Sequence, residues 1–331
     1  MHGLDVTFTR TLSPEDAAEY DLFVDRSHGG AYAQARAWAT PATAGRPFAP
    51  RWFLARRRGR LVGAALVLRP RLLGRLSLPV GIVERGPVTD SLDDLPEVLT
   101  ALRVAAITRG IARLQVMPYW ADEHADRASQ ILADGGFQSV QTLSGAHART
   151  LRVDLKGKTE ATLFAGKSGE TLRRKVRQAE KAGAFARRGT EKDLPELEKL
   201  YAELMRGQGR GAKPRAWFDA LAPILTEGRR GAVFLCEHEG DVVSALYASC
   251  HGRIATFVLG ASSGVERSFS KMVPAMVSAI RWALAEGCEA FDMGGIPLED
   301  DTDEKRRSIA QFKLDFAKTP VRLVGEHARW L

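Results

Sequence analysis

At 331 residues the chain is long enough for two domains of about 150 residues, each with its own core. Hydrophobic residues at 45% and charged residues at 27% are ordinary for a folded globular protein, and no stretch is biased enough to read as disordered. The net charge of +8, from 48 Lys plus Arg against 40 acids, favours a polyanionic partner such as nucleic acid, a nucleotide diphosphate or an anionic lipid surface. In chain order, the pattern predicts a helix over roughly 14–26, hairpin strands near 52–68, and strand pieces around 75–88. A helix near 93–109 and a strand at 111–117 follow. "HADRASQILADGGFQSV" then gives one more helix and a last strand. The second half opens on "LRVDL", a strand, followed by a basic helix, a capped helix and a helix near 215–226. A second hairpin, the strand "RIATFVLGAS", a helix over 271–286 and the strand "AFDMGG" come next. Acidic 297–307 reads as a surface loop, and the tail as a helix with a closing strand.

The chain repeats itself. "FLARRRGRLVGAALVL" (Phe53–Leu68) and "FLCEHEGDVVSALYAS" (Phe234–Ser249) align without a gap, with Gly59 matching Gly240 at the turn. Ser13-Pro-Glu-Asp16 and Thr190-Glu-Lys-Asp193 both read as helix N-caps with a carboxylate three residues on. Two amphipathic helices, each stopped by a glycine (Gly110, Gly287), lead into short buried strands. Any α/β protein offers such units singly. The shared order and spacing point to an internal duplication, with a first domain over 1–150 and a second over 151–318.

No apolar run approaches the ~20 residues that span a bilayer, and the start lacks a signal-peptide core. Cys236, Cys250 and Cys288 show no paired or metal-type spacing and the histidines are scattered, so a reduced, cytoplasmic setting without metal or cofactor is expected. The densest basic stretch is Thr171–Arg188. Its Arg173, Arg174 and Arg177 suit a nucleic-acid phosphate surface, and a merely solvated helix fits the same composition.

Helix, hairpin, strand, helix, strand, helix, strand resembles the acetyltransferase (GNAT) core, here twice. The expected fold is therefore α/β (α+β), two tandem GNAT-like domains. A simple acetyltransferase grips the coenzyme A pyrophosphate with a glycine-rich turn at a helix N-terminus. "GASSGVERSFSKMV" occupies that place without the glycine pair. Literal matches at Arg26–Ala31 and Arg206–Gly211 follow the first helix of each repeat and read as turns.

Eight segments in order resemble the Fem family of aminoacyl-tRNA-dependent peptidyltransferases, which build amino-acid bridges on peptidoglycan precursors with twin acetyltransferase-like domains. They are "YAQARAW" (Tyr32–Trp38), "ERGPV" (Glu84–Val88), "MPYW" (Met117–Trp120), "GGF" (Gly135–Phe137), "LRVDL" with "RRKVRQAEKAG", "LGASS" (Leu259–Ser263), "FDMGGI" (Phe291–Ile296) and "QFKLDF" (Gln311–Phe316). The resemblance implies an aminoacyl-tRNA donor and a peptidoglycan precursor or other amine as acceptor, with peripheral membrane contact if that acceptor is lipid-linked. It also implies that the segment 319–331 returns to the first domain. Phe312-Lys313 matches the family's Phe-Lys pair at the site of acyl transfer, where an ammonium can steady an oxyanion.

Asp292 ends a buried strand and either orients a neighbour or caps the next turn; Gly294 and Gly295 admit close backbone approach or simply make that turn. The resemblance places an acceptor-phosphate arginine at Arg210, with Arg206 and Arg215 as alternatives. Arg85 is a further candidate, better suited to anchoring its turn, and Tyr247 lines a cleft or sits in the core. Two departures bear on the acceptor. Met117 stands where relatives often carry an aspartate. No lysine follows Trp38, unless Arg46 substitutes. Two other readings remain: an acyl-CoA-dependent N-acyltransferase, and a non-catalytic tRNA- or envelope-precursor-binding module.

Overall fold

The computed structural model describes residues 3–72, 76–140, 148–226, 230–299 and 301–331. The chain forms two compact units, one of Met1–Thr150, Gly295–Asp301 and Val321–Leu331, the other of Leu151–Gly294 and Thr302–Pro320.

The first unit begins with β1 (Asp5–Thr9), α1 (Pro14–Arg26) and the short α2 (Ala39–Thr43). It continues through β2 (Phe48–Arg57), β3 (Arg60–Leu72), β4 (Leu76–Ser77), β5 (Val80–Val83) and β6 (Val88–Thr89). Then come α3 (Leu95–Ile107), β7 (Arg113–Val116), α4 (Glu123–Asp134) and β8 (Gln138–Ser139). The second comprises β9 (Arg149–Asp154), which enters from the first, α5 (Gly166–Lys181), β10 (Phe185–Arg188) and α6 (Leu194–Arg206). After α7 (Arg215–Asp219) and α8 (Ala222–Thr226) it adds β11 (Gly231–His238), β12 (Asp241–His251) and β13 (Ile254–Ser262). It is completed by α9 (Met272–Ala285), β14 (Ala290–Gly295) and α10 (Glu304–Leu314). β15 (Pro320–Arg322) and β16 (His327–Trp330) close the chain.

One sheet runs β1-β2-β3-β5-β7-β16-β8, with β4 and β6 also paired to β3; the other runs β10-β11-β12-β13-β14-β9-β15. In each, antiparallel strands give way to a parallel step, β5 on β7 and β13 on β14. β16 pairs with both β7 and β8, so the last strand completes the first unit.

The repeat seen in the sequence extends to backbone detail. Phe53 faces Ala65 and Phe234 faces Leu246 at the same hairpin register. A β-bulge falls between Ala55 and Arg56 and again between Cys236 and Glu237. Arg58-Gly59 and Glu239-Gly240 turn both hairpins with positive φ, at 52° and 77° and at 54° and 84°. Two consecutive left-handed residues give a turn whose twist matches that of the flanking strands.

Three expectations need correcting. Thr190 does accept from the Lys192 N–H in a capping box with Asp193, but it opens a 3-10 turn over Glu191–Asp193. The full helix starts only at Leu194, so α1 and α6 match end to end from Pro14 and Leu194 rather than cap to cap. The 215–226 helix is two short ones, α7 and α8. The 297–307 stretch is not all loop, because the Asp303 carboxylate accepts the Arg306 N–H and α10 begins at Glu304. Spacing along the chain does not foretell one cysteine contact. Cys250 and Cys288 are buried with sulfurs 3.1 Å apart, brought together by the sheet across 38 residues. Cys236 is free and buried, its thiol pushed up to about 11 chiefly by burial.

Candidate active site

Asp292 lies in the middle of three consecutive buried residues of β14, and its register partner across the parallel step is Thr256 on β13. Asp292 is 1% exposed. A buried carboxylate costs free energy unless donors satisfy it, and two do. Oδ1 accepts the Gly294 N–H at 2.8 Å, and Oδ2 accepts from Arg152 Nε, on β9, at 3.3 Å. Gly294 holds φ at 76°, and a side chain there would meet the Phe257 carbonyl and the Lys313 amine. The left-handed φ is what calls for glycine at this turn, which lies in contact range of the Lys313 amine.

Lys313 lies in the last turn of α10 and is the buried residue of that helix, 7% exposed. Burial lowers its pKa to about 8, opposed by the nearby Asp292 charge. At neutral pH the amine is mainly an ammonium, yet close enough to titration to exchange a proton. Its neighbour Phe312 packs with Phe316, Phe164 and Val176 on a buried cluster of Leu172, Val273 and Val277. Lys175 bonds Asp315 at 2.5 Å, tying α5 to α10. Lys313, Phe312, Asp292 and Gly294 therefore converge, joined by Arg152, which sequence reasoning missed because it pairs with Asp292 across 140 residues.

Gly295 follows Gly294 directly and ends β14. The other candidates lie elsewhere. Arg210 is exposed after α6, close enough to Tyr201 to pull that hydroxyl's pKa down against the larger upward push of burial. Arg206 is exposed, and Arg215 bonds Asp219 on its own helix. Tyr247 is fully buried, its hydroxyl packed close to Gly231. Arg85, with φ at 53°, lays its guanidinium over the Tyr119 ring at 4.8 Å. Arg46 is exposed and stacks on Phe48. Arg173, Arg174 and Arg177 are exposed on α5, and the Arg173 guanidinium donates to the Phe164 carbonyl.

Gln34, in the Tyr32–Trp38 segment, is fully buried: its Oε1 accepts the Leu66 N–H at 2.7 Å and its Nε2 donates to the Glu84 carbonyl. That segment is a structural staple. Where a coenzyme A turn would precede α9, the Lys271 amine donates to the Ser263 and Val265 carbonyls of its own loop. No cluster of three or more metal-ligating side chains occurs among the described residues, and none of their helices is long and apolar enough to cross a membrane.

Residues 166–306 match the model of the acetyltransferase (GNAT) domain family. Across 98% of both chains the fold also follows a tandem GNAT protein from the clavulanic acid biosynthesis pathway, at 11% identity and a TM-score of 0.56. The chain is thus a tandem acetyltransferase-fold protein. Within that class its likeness is to the Fem type, as the sequence motifs implied. It is 25% identical over 257 residues, 73% of each chain, to the UDP-N-acetylmuramoylpentapeptide-lysine N(6)-alanyltransferase of Weissella viridescens. Its fold follows the crystal structure of FemX over 99% of this chain and 97% of that one, with a TM-score of 0.81 at 17% identity.

Proposed function

We propose that this protein is a cytoplasmic aminoacyltransferase that moves an amino acid from aminoacyl-tRNA to an amine of a peptidoglycan precursor. The observation that carries the reading is Lys313: a buried ammonium beside Asp292, next to the left-handed turn at Gly294. The alanyltransferase relative supports the substrate class. The donor ester is already activated, so the enzyme must align it with the acceptor and steady the charge that develops. The acceptor nitrogen attacks the ester carbonyl carbon, a C–N bond forms, and the carbonyl oxygen becomes an oxyanion. The Lys313 ammonium faces that charge. As the C–O bond to the ribose breaks, the ribose oxygen takes a proton and the amine nitrogen gives one up, so the balance closes without a covalent enzyme intermediate. A lysine with pKa about 8 can pass that proton on. Asp292, bonded by Arg152 and the Gly294 N–H, holds the arrangement rather than acting as a free base. Lys271 inside its own loop supports tRNA over acyl-CoA as donor.

The deciding experiment is single-turnover transfer from charged tRNA to a UDP-linked muropeptide, with acetyl-CoA as the competing donor. Transfer from tRNA is the expected result; transfer from acetyl-CoA alone, or from neither donor, removes the reading.

A further inference from the structure

Beside α5 lies a cavity of about 210 Å³, lined by Phe164, Leu172, Val176 and Val277 within a rim of Arg173, Arg177 and Arg281. Pockets for whole small molecules run to ~300–1,000 Å³, so this one suits a single ring of a larger ligand. Its lip is built rather than incidental. Gly169 packs so closely under Phe164 that a Cβ would overlap the Phe164 carbonyl, and the Arg173 guanidinium donates to that same carbonyl. Three guanidiniums face one carboxylate, Glu180, in the lining, and Arg281 also pairs with Glu160 outside it at 2.7 Å. Arg174 and Lys181 extend the exposed basic face along the same helix. The apolar floor belongs to the cluster that seats Phe312, the neighbour of Lys313.

We infer that this slot receives one nucleobase from the single-stranded 3′ end of the donor RNA, stacked against Phe164 with its phosphates on Arg173, Arg177 and Arg281. An apolar, aromatic-lipped slot within a ring of guanidiniums matches the two parts of a nucleotide: a flat π-face and an anionic backbone. The inference rests on the tRNA-dependent reading above and adds to it the place where the strand docks. Because slot and Phe312 share one cluster, a base seated there positions the strand's terminal ester relative to a fixed point beside Lys313.

The probe is a short RNA hairpin with a single-stranded 3′ tail ending in 2-aminopurine. The wild-type protein should quench the 2-aminopurine fluorescence on binding. Phe164→Leu, which keeps an apolar side chain, should weaken binding roughly ten- to a hundredfold and abolish the quench, as loss of one base stack implies. Arg177→Glu, at an exposed position, should weaken binding and flatten its salt dependence. Undiminished binding and quenching in both variants, each folded by circular dichroism, overturns the slot. So does preferential binding to anionic phospholipid vesicles that the hairpin cannot displace. The two proposals fail separately. Transfer from charged tRNA with an unchanged KM in both variants sinks the slot and leaves the donor reading standing. Hairpin binding that the variants abolish, in a protein that transfers nothing from tRNA, sinks the donor reading and leaves the slot.

Discussion

The helix N-termini of α3 and α9 occupy corresponding places in the two units and carry opposite charge. Before and at the start of α3 stand Asp90, Asp93 and Asp94, paired with Arg60, Arg127 and Arg57. Before α9 stands Lys271, its amine spent on two carbonyls of its own loop. Carboxylates at the first would repel a pyrophosphate, whereas the lysine at the second is held to carbonyls of its own loop. The strands that follow these helices differ as sharply. β7 carries Gln115, whose amide donates to Glu326 at 2.9 Å, and β14 carries the buried Asp292. Near the end of the next helix, α4 buries Leu132 and α10 buries Lys313. Duplication kept the backbone in both units and left the buried charged pair in one.

The largest way to break that comparison is to take the charge from the second unit. Lys313→Met keeps the stem and removes the ammonium, and single-turnover transfer should fall ~10²–10³-fold, the usual cost of one oxyanion donor. A rate near wild type would make the lysine a bystander. The matched change in the first unit, Leu132→Ala, empties part of its core and should cost about 2–5 kcal/mol in denaturant unfolding. The transfer rate of the folded enzyme should be unaffected.

The same lysine should weaken the fold it serves. Its native pKa of about 8 lies below the ordinary 10.5, so between those values the unfolded chain holds the extra proton. Stability attributable to Lys313 therefore rises with pH across that window and is lowest below pH 8. At pH 7, Lys313→Met should be the more stable protein, by up to roughly 3 kcal/mol. The gap should close as pH approaches 10. A difference that stays constant over that range would show that the lysine is charged and solvated in the native state. Transfer by the wild type should fall as pH rises through about 8, where the ammonium is lost. Asp292→Asn removes the charge that supports the ammonium, and should move that falling limb to lower pH.

How much of this was legible in the chain depends on how local the signal is. The hairpins were readable because a turn glycine and an apolar run lie within a few residues of each other. The Phe312-Lys313 pair was readable as a short motif, of which the fold buries Lys313 and leaves Phe312 partly covered. The true start of α6 was hidden by Thr190, whose capping residues are equally suited to a 3-10 turn. The start of α10 was hidden by acidic composition, although Asp303 is a helix cap. Arg152 with Asp292, and Cys250 with Cys288, leave no trace in local pattern, since only the sheet order brings them together. Tyr247 could have faced either way from the sequence; its strand is buried along nearly its whole length, so alternation gives no guide to a face.

The smallest predicted effect sharpens the comparison instead of breaking it. Gly59 and Gly240 sit at the second turn position of their hairpins with φ at 77° and 84°, and a Cβ at either would meet nothing within 4 Å. Substituting alanine therefore costs only the left-handed backbone penalty, about 1–2 kcal/mol, with no packing term to distinguish the sites. Gly59→Ala and Gly240→Ala should accordingly destabilise their own units by nearly equal amounts, measured as shifts in denaturant midpoint at unchanged m-value. Arg58 and Glu239, already left-handed at the first turn position, make the two contexts alike in backbone though opposite in charge. A large inequality between the two substitutions would mean that the matching turns carry different strain, and that the likeness of the hairpins stops at their geometry.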